Sequence, residues 1–191
     1  MAAAAAVAAV VGSCKAEDSE RRNMKIKIYT TGGTIDKVYF DKKSKYEVGE
    51  PTVEQILREA QVNFDYECES LLKKDSLDMT TDDRRLLFDK ISSDDHKHFI
   101  VIHGTDTMIE TAQELRGIPN KVVVLTGAIE PARSRVSDAP FNIGTAVAAV
   151  QVLPPGVYIA FNGRIYDPSK IRKNIDLNRF EEISPRSLTS S

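Results

Sequence analysis

Two short segments carry threonines next to glycines, a combination suited to nucleophilic chemistry. The first is Thr31-Gly32-Gly33-Thr34-Ile35, and the second is His103-Gly104-Thr105-Asp106-Thr107. Adjacent glycines let a backbone turn sharply and approach a ligand closely, which would present Thr34 at the end of a strand. A threonine hydroxyl becomes a nucleophile when a base activates it, so both segments are candidates for such a site.

Each segment also has a plainer interpretation. The Gly32-Gly33 pair could form an ordinary turn or half of a phosphate-binding loop, although no Gly-Lys-Ser/Thr or Gly-x-Gly-x-x-Gly spacing is present. In the second segment, Thr107 and Glu110 have capping-box spacing, so Thr107 is predicted to cap a helix. Asp106 lies just ahead of that helix, where it could hold a substrate ammonium or stabilise the loop.

Strand and helix patterns alternate along the chain and predict where these segments lie. Five strands are predicted, at Lys25–Thr30, Phe64–Leu72, His98–His103, Lys121–Thr126 and Gly156–Asn162. Four helices are predicted between them, at Pro51–Ala60, Thr80–Ile91, Thr107–Leu115 and Asp138–Val152. The alternation predicts an α/β fold with a mostly parallel sheet and helices on both faces. The ordered domain is expected to span residues 24–182.

The carboxyl ends of parallel strands meet at one edge of a sheet, and ligands bind there. The segments that follow the predicted strands are residues 31–34, 75–78, 104–107, 127–128 and 163–174. They contain glycine-flanked threonines, a serine, several aspartates and several basic residues. This set of side chains suits hydroxyl-nucleophile chemistry better than redox or metal chemistry.

The composition is that of an ordinary soluble, globular protein. The 191 residues are 41% hydrophobic and 28% charged, with a net charge of −2 and no basic stripe that indicates nucleic-acid binding. Two cysteines cannot supply the usual three or four ligands of a zinc site, and reducing, cytosolic conditions suit them best. We expect no metal, nucleic-acid or membrane partner, and a cytoplasmic location.

The two ends of the chain differ from the rest. Residues 1–23 form an Ala-rich leader without the basic start of a secretory signal, and its apolar part is too short to span a bilayer. We expect a low-complexity leader, with export left open. Residues 183–191 are expected to form a loose tail.

Taken in order, these segments resemble the bacterial-type L-asparaginase family over roughly residues 24–182. Four further stretches support the likeness: a lid-like segment with a tyrosine, a serine loop, the approach to the last helix, and a segment with a lysine. They lie at 44–49, 75–79, 127–131 with 137–142, and 162–174. The resemblance implies an N-terminal-type asparaginase domain that hydrolyses L-asparagine to L-aspartate and ammonia, without a cofactor.

The resemblance also implies roles for matching residues. Thr34 would be the nucleophile that forms a covalent acyl intermediate, and Tyr46 would lie on the lid near it. Thr105, Asp106 and Lys173 would form a second cluster, with Thr105 hydrogen-bonded to Lys173 and nearby backbone N–H groups in the oxyanion hole. The sequence leaves open whether Lys173 carries a proton or only orients Thr105.

The implied substrate contacts are Asp106 with the α-ammonium, Ser76 with the α-carboxylate, and Ala128. The sequence departs from the family pattern in two places. Leu77 stands where well-known members carry a glutamine that helps to hold the substrate. The chain also ends before the second domain of typical members, so we expect a short, single-domain form that assembles as a homo-oligomer.

Two other functions remain open at this point. One is a related amidase, such as a glutaminase that supplies ammonia. The other is a catalytically weak module that binds asparagine, because Leu77 lacks the glutamine's hydrogen bonds. Ammonia release from asparagine and glutamine would separate the three.

Overall fold

The computed structural model describes residues 24–40 and 45–183, and for residues 38–40 and 45–47 it describes the backbone alone. The predicted leader at 1–23 and residues 184–191 of the predicted tail lie outside the described residues. The helices of the described part are α1 (Val53–Glu59), α2 (Thr81–Ser93), α3 (Met108–Leu115) and α4 (Ala139–Val152). None of them has the length and apolar character of a segment that spans a bilayer.

The strands of the described residues are, in chain order, β1 (Lys25–Gly32), β2 (Lys37–Phe40), β3 (Lys45–Val48), β4 (Asp65–Lys74), β5 (His98–Ile102), β6 (Val122–Thr126), β7 (Gly156–Phe161), β8 (Arg164–Tyr166), β9 (Ile171–Asn174) and β10 (Arg179–Glu182). Six of them form one sheet in the order β4-β1-β5-β6-β7-β8. The first five strands of that order are parallel, and β8 runs antiparallel to β7. The predicted α/β fold with a mostly parallel sheet is therefore confirmed.

The sheet is covered by helices on both faces, as predicted. Alternate residues of β5 show this: Ile100 and Ile102 pack with α1 and α4, whereas Phe99 and Val101 pack with α2 and α3. A strand that is buried on both faces reads as a continuous apolar run, which is the pattern of β5 and β6. The two apolar cores fix the strands, and the strands in turn fix the loops at their carboxyl ends.

Three features were absent from the sequence-based prediction. β8 adds an antiparallel edge strand, and two separate hairpins pair β2 with β3 and β9 with β10. The β2–β3 hairpin follows the Thr34 turn, and β9 carries Lys173, which bonds to Thr105. Both hairpins therefore belong to the region that the sequence marks as the candidate site.

Candidate active site

The Thr34 turn is built by two glycines in the left-handed region. Gly32 and Gly33 have φ of 97° and 94°, and a short 3₁₀ turn at Thr34–Asp36 follows them. The Gly33 N–H donates to the carbonyl of Lys74 at the end of β4, with an N···O distance of 3.0 Å. A Cβ at Gly33 would lie 2.5 Å from the backbone N of Gly104. The half-buried Thr34 is therefore held beside the loop after β5.

Gly104 makes the second close approach. A Cβ at Gly104 would lie 2.5 Å from Oγ of Ser76, so only glycine lets these two loops touch. Ser76 is 2% exposed, and its Oγ has no hydrogen-bond partner among the described residues. The Ser76 hydroxyl faces Gly104 rather than open solvent. Direct contact with a ligand therefore requires rotation of the Ser76 side chain.

The prediction that Thr107 caps a helix is confirmed for its position but is wrong for its hydroxyl. Thr107 occupies the N-cap position of α3, but its side chain makes no capping hydrogen bond. Its Oγ1 instead donates to the carbonyl of Ser76, 2.7 Å away. With φ of −117° and ψ of 19°, Thr107 also lacks the extended backbone typical of a capping residue. The hydroxyl thus joins the Ser76 loop to the Thr105 loop.

Replacing Gly104 by alanine is expected to destabilise the protein and to separate these loops. The added methyl would meet Ser76 Oγ at 2.5 Å and Ser76 Cβ at 2.7 Å. We expect the free energy of unfolding to fall by about 1–3 kcal/mol, the usual range for overpacking. Denaturant unfolding measures this change.

Gly144→Ala is the matched control, because a Cβ there meets nothing within 4 Å in the exposed part of α4. That substitution should raise the stability by about 0.5–1 kcal/mol. Equal stability of Gly104→Ala and the wild type would contradict this account of the packing.

A polar cluster joins Thr105, Asp106 and Lys173. Nζ of Lys173 donates to Oγ1 of Thr105 at 2.8 Å and forms an ion pair with the Asp106 carboxylate. Thr105 is 5% exposed, and the Lys173 side chain is 12% exposed, whereas that of Asp106 is 44% exposed. The hydrogen bond that the resemblance implied between Thr105 and Lys173 is therefore present. A cation is held against a buried hydroxyl, with a carboxylate open to a ligand.

The β9–β10 hairpin is what brings Lys173 to the sheet edge. Lys173 pairs directly with Phe180 of β10, and opposite residues in an antiparallel pair project from the same face. Phe180 is buried and contacts the ring of Phe161 edge-on, with the centroids 5.2 Å apart. Burial of such a side chain stabilises the fold by about 1.5–3 kcal/mol. The aromatic contact therefore anchors the short polar strand that carries Lys173.

The two remaining predicted site residues, and Leu77 at the position that departs from the family pattern, lie in three different environments. Tyr46 is in β3, where its backbone pairs with Tyr39, and its side chain lies outside the described part of the molecule. Ala128 is 1% exposed and packs in the core, so its side chain is not open to a ligand. Leu77 is 71% exposed and lines an open cleft of about 490 Å³ together with Lys37.

Asp36 is a site-supporting residue that the sequence analysis missed. It is buried two positions after Thr34, and its carboxylate accepts from the N–H and the hydroxyl of Thr52 at 2.8 and 2.9 Å. Burial raises the pKa of Asp36, against these hydrogen bonds, which lower it. The contacts fix the Thr34 turn to the start of α1.

A model of the family described as "Asparaginase, N-terminal" matches residues 25–185. The chain belongs to the asparaginase family. It is 30% identical over 177 residues to the L-asparaginase of Thermococcus kodakarensis, covering 84% of this chain and 52% of the relative. It is 32% identical over 175 residues to L-asparaginase 2 of Escherichia coli, covering 83% of this chain and 49% of the relative.

Solved structures of family members have the same fold. The thermostable L-asparaginase from T. kodakarensis superposes with a TM-score of 0.72 and 28% identity, over 84% of this chain and 51% of that one. A probable cytoplasmic L-asparaginase from Campylobacter jejuni gives a TM-score of 0.72 and 29% identity, over 83% and 53%. The chain spans about half the length of the curated relatives it matches.

Behind the Thr105 loop of this asparaginase-family chain lies a buried hydrogen-bond network that the sequence analysis did not identify. His103 contacts the Gly104 carbonyl through Nδ1 at 2.7 Å and Oγ1 of Thr111 through Nε2 at 2.9 Å. Nε of the buried Arg84 reaches the same Thr111 hydroxyl at 3.1 Å, and its Nη1 donates to the carbonyl of Met79. One cation therefore ties the loop after β5 to the end of the Ser76 turn.

Proposed function

We propose that this chain is an L-asparaginase that converts L-asparagine to L-aspartate and ammonia. Thr34 is the nucleophile, and Thr105, Asp106 and Lys173 form the cluster that handles protons and binds the substrate. Membership of the asparaginase family supports the reaction class, and the packing of the loops is consistent with the assignment to residues. The chemistry needs no cofactor.

The reaction has two steps at the side-chain carbonyl carbon of the substrate: acylation of Thr34 and hydrolysis of the resulting ester. Oγ1 of Thr34 attacks the side-chain carboxamide, and the resulting oxyanion is held by backbone N–H donors. The C–N bond breaks, ammonia leaves with the proton given up by the hydroxyl, and an aspartyl ester of Thr34 remains. Water then attacks the ester, which releases aspartate and restores the hydroxyl.

One observation carries the proposal: the 2.8 Å hydrogen bond from Lys173 Nζ to Thr105 Oγ1, made by residues 68 positions apart. A buried hydroxyl that is held by a cation, beside a partly exposed carboxylate, is equipped to move a proton and to receive an ammonium group. Gly33, directly before Thr34, packs against Gly104 of the same loop. An ion pair with only a structural role would not require the Gly32-Gly33 turn to pack beside it.

The site loops also support proposals about substrate and assembly. Asp106 binds the substrate ammonium and the Ser76 loop its α-carboxylate, with Ala128 contributing through its backbone and Tyr46 covering Thr34 from the lid. Asp106 and Leu77 are exposed, which is why we propose a homo-oligomer that covers the site more fully. The cytoplasm is the proposed location.

The proposal is tested by measuring ammonia release from asparagine and from glutamine in parallel. Preferential release from asparagine supports the L-asparaginase assignment. Preferential release from glutamine would replace it by a glutaminase. Calorimetric binding of asparagine without any release would identify the chain as a binding module.

A further inference from the structure

His103 stands next to the proposed site without belonging to it. Its ring is fully buried, directly before the loop that carries Gly104 and Thr105. Both ring nitrogens have partners within the described residues, Gly104 and Thr111. A buried imidazole that is fixed by two hydrogen bonds also fixes the orientation of the groups it is bonded to.

The partners of His103 fix its tautomer. The Gly104 carbonyl oxygen can only accept, so Nδ1 carries the proton and donates to it. Burial lowers the pKa of the ring to about 4, so the ring is neutral near pH 7 and Nε2 is an acceptor. The Thr111 hydroxyl then donates to Nε2 and accepts from Arg84 Nε. The hydrogen bonds therefore run in one direction, from the Arg84 cation to the Gly104 carbonyl.

The Gly104 carbonyl shares a peptide plane with the N–H of Thr105. In a trans peptide these two groups point in opposite directions, so the ring turns the Thr105 N–H away from itself. Among the described residues, no hydrogen bond from that N–H is found. Because Gly104 has no side chain, its backbone restricts the Gly104–Thr105 peptide little, and the hydrogen bond from Nδ1 of His103 fixes the orientation of that peptide.

We infer that His103 is a positioning residue that aligns the Thr105 N–H as an oxyanion donor for the acyl transfer at Thr34. The inference rests on the proposed function, because the donor matters only if an oxyanion forms. Thr111 and Arg84 act through the ring: Thr111 keeps the proton on Nδ1, and Arg84 polarises the chain of hydrogen bonds. No group of this network touches the substrate.

A pair of substitutions separates the two ring contacts. In His103→Asn, the side-chain amide can occupy the place of Nδ1 and donate to Gly104. In His103→Gln, the amide reaches toward Thr111 and leaves no donor at Gly104. We expect kcat of His103→Gln to fall by about 10²-fold, the lower end for loss of an oxyanion donor, with KM changed by less than about threefold. His103→Asn should recover most of that kcat.

His98→Gln is the matched control, because it makes the same change at the opposite end of β5. Its kcat should equal that of the wild type. If the His103 variants do not fold, the isosteric Thr111→Val removes the donor to Nε2 and should lower kcat in the same direction. Wild-type kcat in a folded His103→Gln or Thr111→Val variant would overturn the inference.

The backbone amide resonance of Thr105 gives a second readout that does not depend on turnover. It should shift in His103→Gln and return toward its wild-type position in His103→Asn. If the wild-type chain releases no ammonia, the proposed function fails, and the Thr105 resonance still tests the peptide orientation. An unshifted Thr105 resonance in His103→Gln would overturn the positioning role in either case.

Discussion

Thr34→Ala is expected to lower kcat for asparagine by at least about 10³-fold, because it removes the only atom that can form the acyl intermediate at this position. Thr34 is half-buried at the start of a short 3₁₀ turn, and the turn itself is built by the backbone of Gly32 and Gly33. We therefore expect the free energy of unfolding to change by less than about 1 kcal/mol. Steady-state kinetics and denaturant unfolding measure the two quantities.

Thr105 is the alternative nucleophile because Lys173 contacts its hydroxyl, but Thr105 is only 5% exposed, whereas Thr34 is half-buried and more open to a substrate. The two assignments are separated by quenching the wild type during turnover and finding which threonine carries the aspartyl ester by peptide mass spectrometry. We expect the ester on Thr34 and none in Thr34→Ala. Thr145→Ala, which changes a threonine on α4, is the control and should leave kcat unaltered. An ester on Thr105 would contradict the assignment.

Lys173→Met should produce the second largest loss, about 10²–10⁴-fold in kcat, the range for a group that assists proton transfer. Methionine keeps most of the length of the side chain but removes the donor to Thr105 and the partner of Asp106. Because the Asp106 carboxylate is well exposed, solvent screens the ion pair, and stability should change by no more than about 1 kcal/mol. The kinetics of asparagine hydrolysis check the first expectation, and thermal unfolding checks the second.

Two further lysine variants define what Lys173 does. Lys170→Met is the control, because the Lys170 side chain is 76% exposed and pairs only with Asp167 among the described residues. Lys173→Arg keeps the positive charge but holds its proton at all working pH values. Recovery of kcat in Lys173→Arg would assign an orienting role, whereas continued loss would assign proton transfer. Wild-type kcat in Lys173→Met would remove the residue from the mechanism.

The parallel sheet was predictable because the alternation of strands and helices is visible in local sequence patterns. The apolar runs of β5 and β6 are buried on both faces, and a Thr80–Asp83 capping box starts α2. Five predicted strands and four predicted helices lie within a few residues of their observed bounds. The loops at the carboxyl edge follow from this order, which is why the sequence alone indicates a candidate site at that edge.

The hairpins depended on signals that were weaker or overlooked. The turn between β7 and β8 is Asn162-Gly163, with φ of 50° and 75°, and Asn-Gly is a strong signal for a two-residue hairpin. By contrast, β9 and β10 are four-residue strands rich in charged residues, with little apolar alternation to reveal them. The position of Lys173 was therefore available only from the family resemblance.

Long-range contacts account for the rest of what the sequence did not reveal. The Thr107 hydroxyl bonds to Ser76, 31 positions away, although its spacing favours a cap. His103 looked like the last residue of a strand, and its link to Arg84 passes through Thr111, 27 positions from the arginine. Tertiary packing determines such hydrogen-bond partners, and local sequence patterns do not predict them.

The central claim is tested most directly by following ammonia and aspartate in the same samples of purified chain and asparagine, with Thr34→Ala in parallel. We predict equal amounts of both products, rising with time in the wild type and absent in the variant. A chain that is folded by circular dichroism yet forms neither product, or a Thr34→Ala variant that forms both at the wild-type rate, would contradict the account.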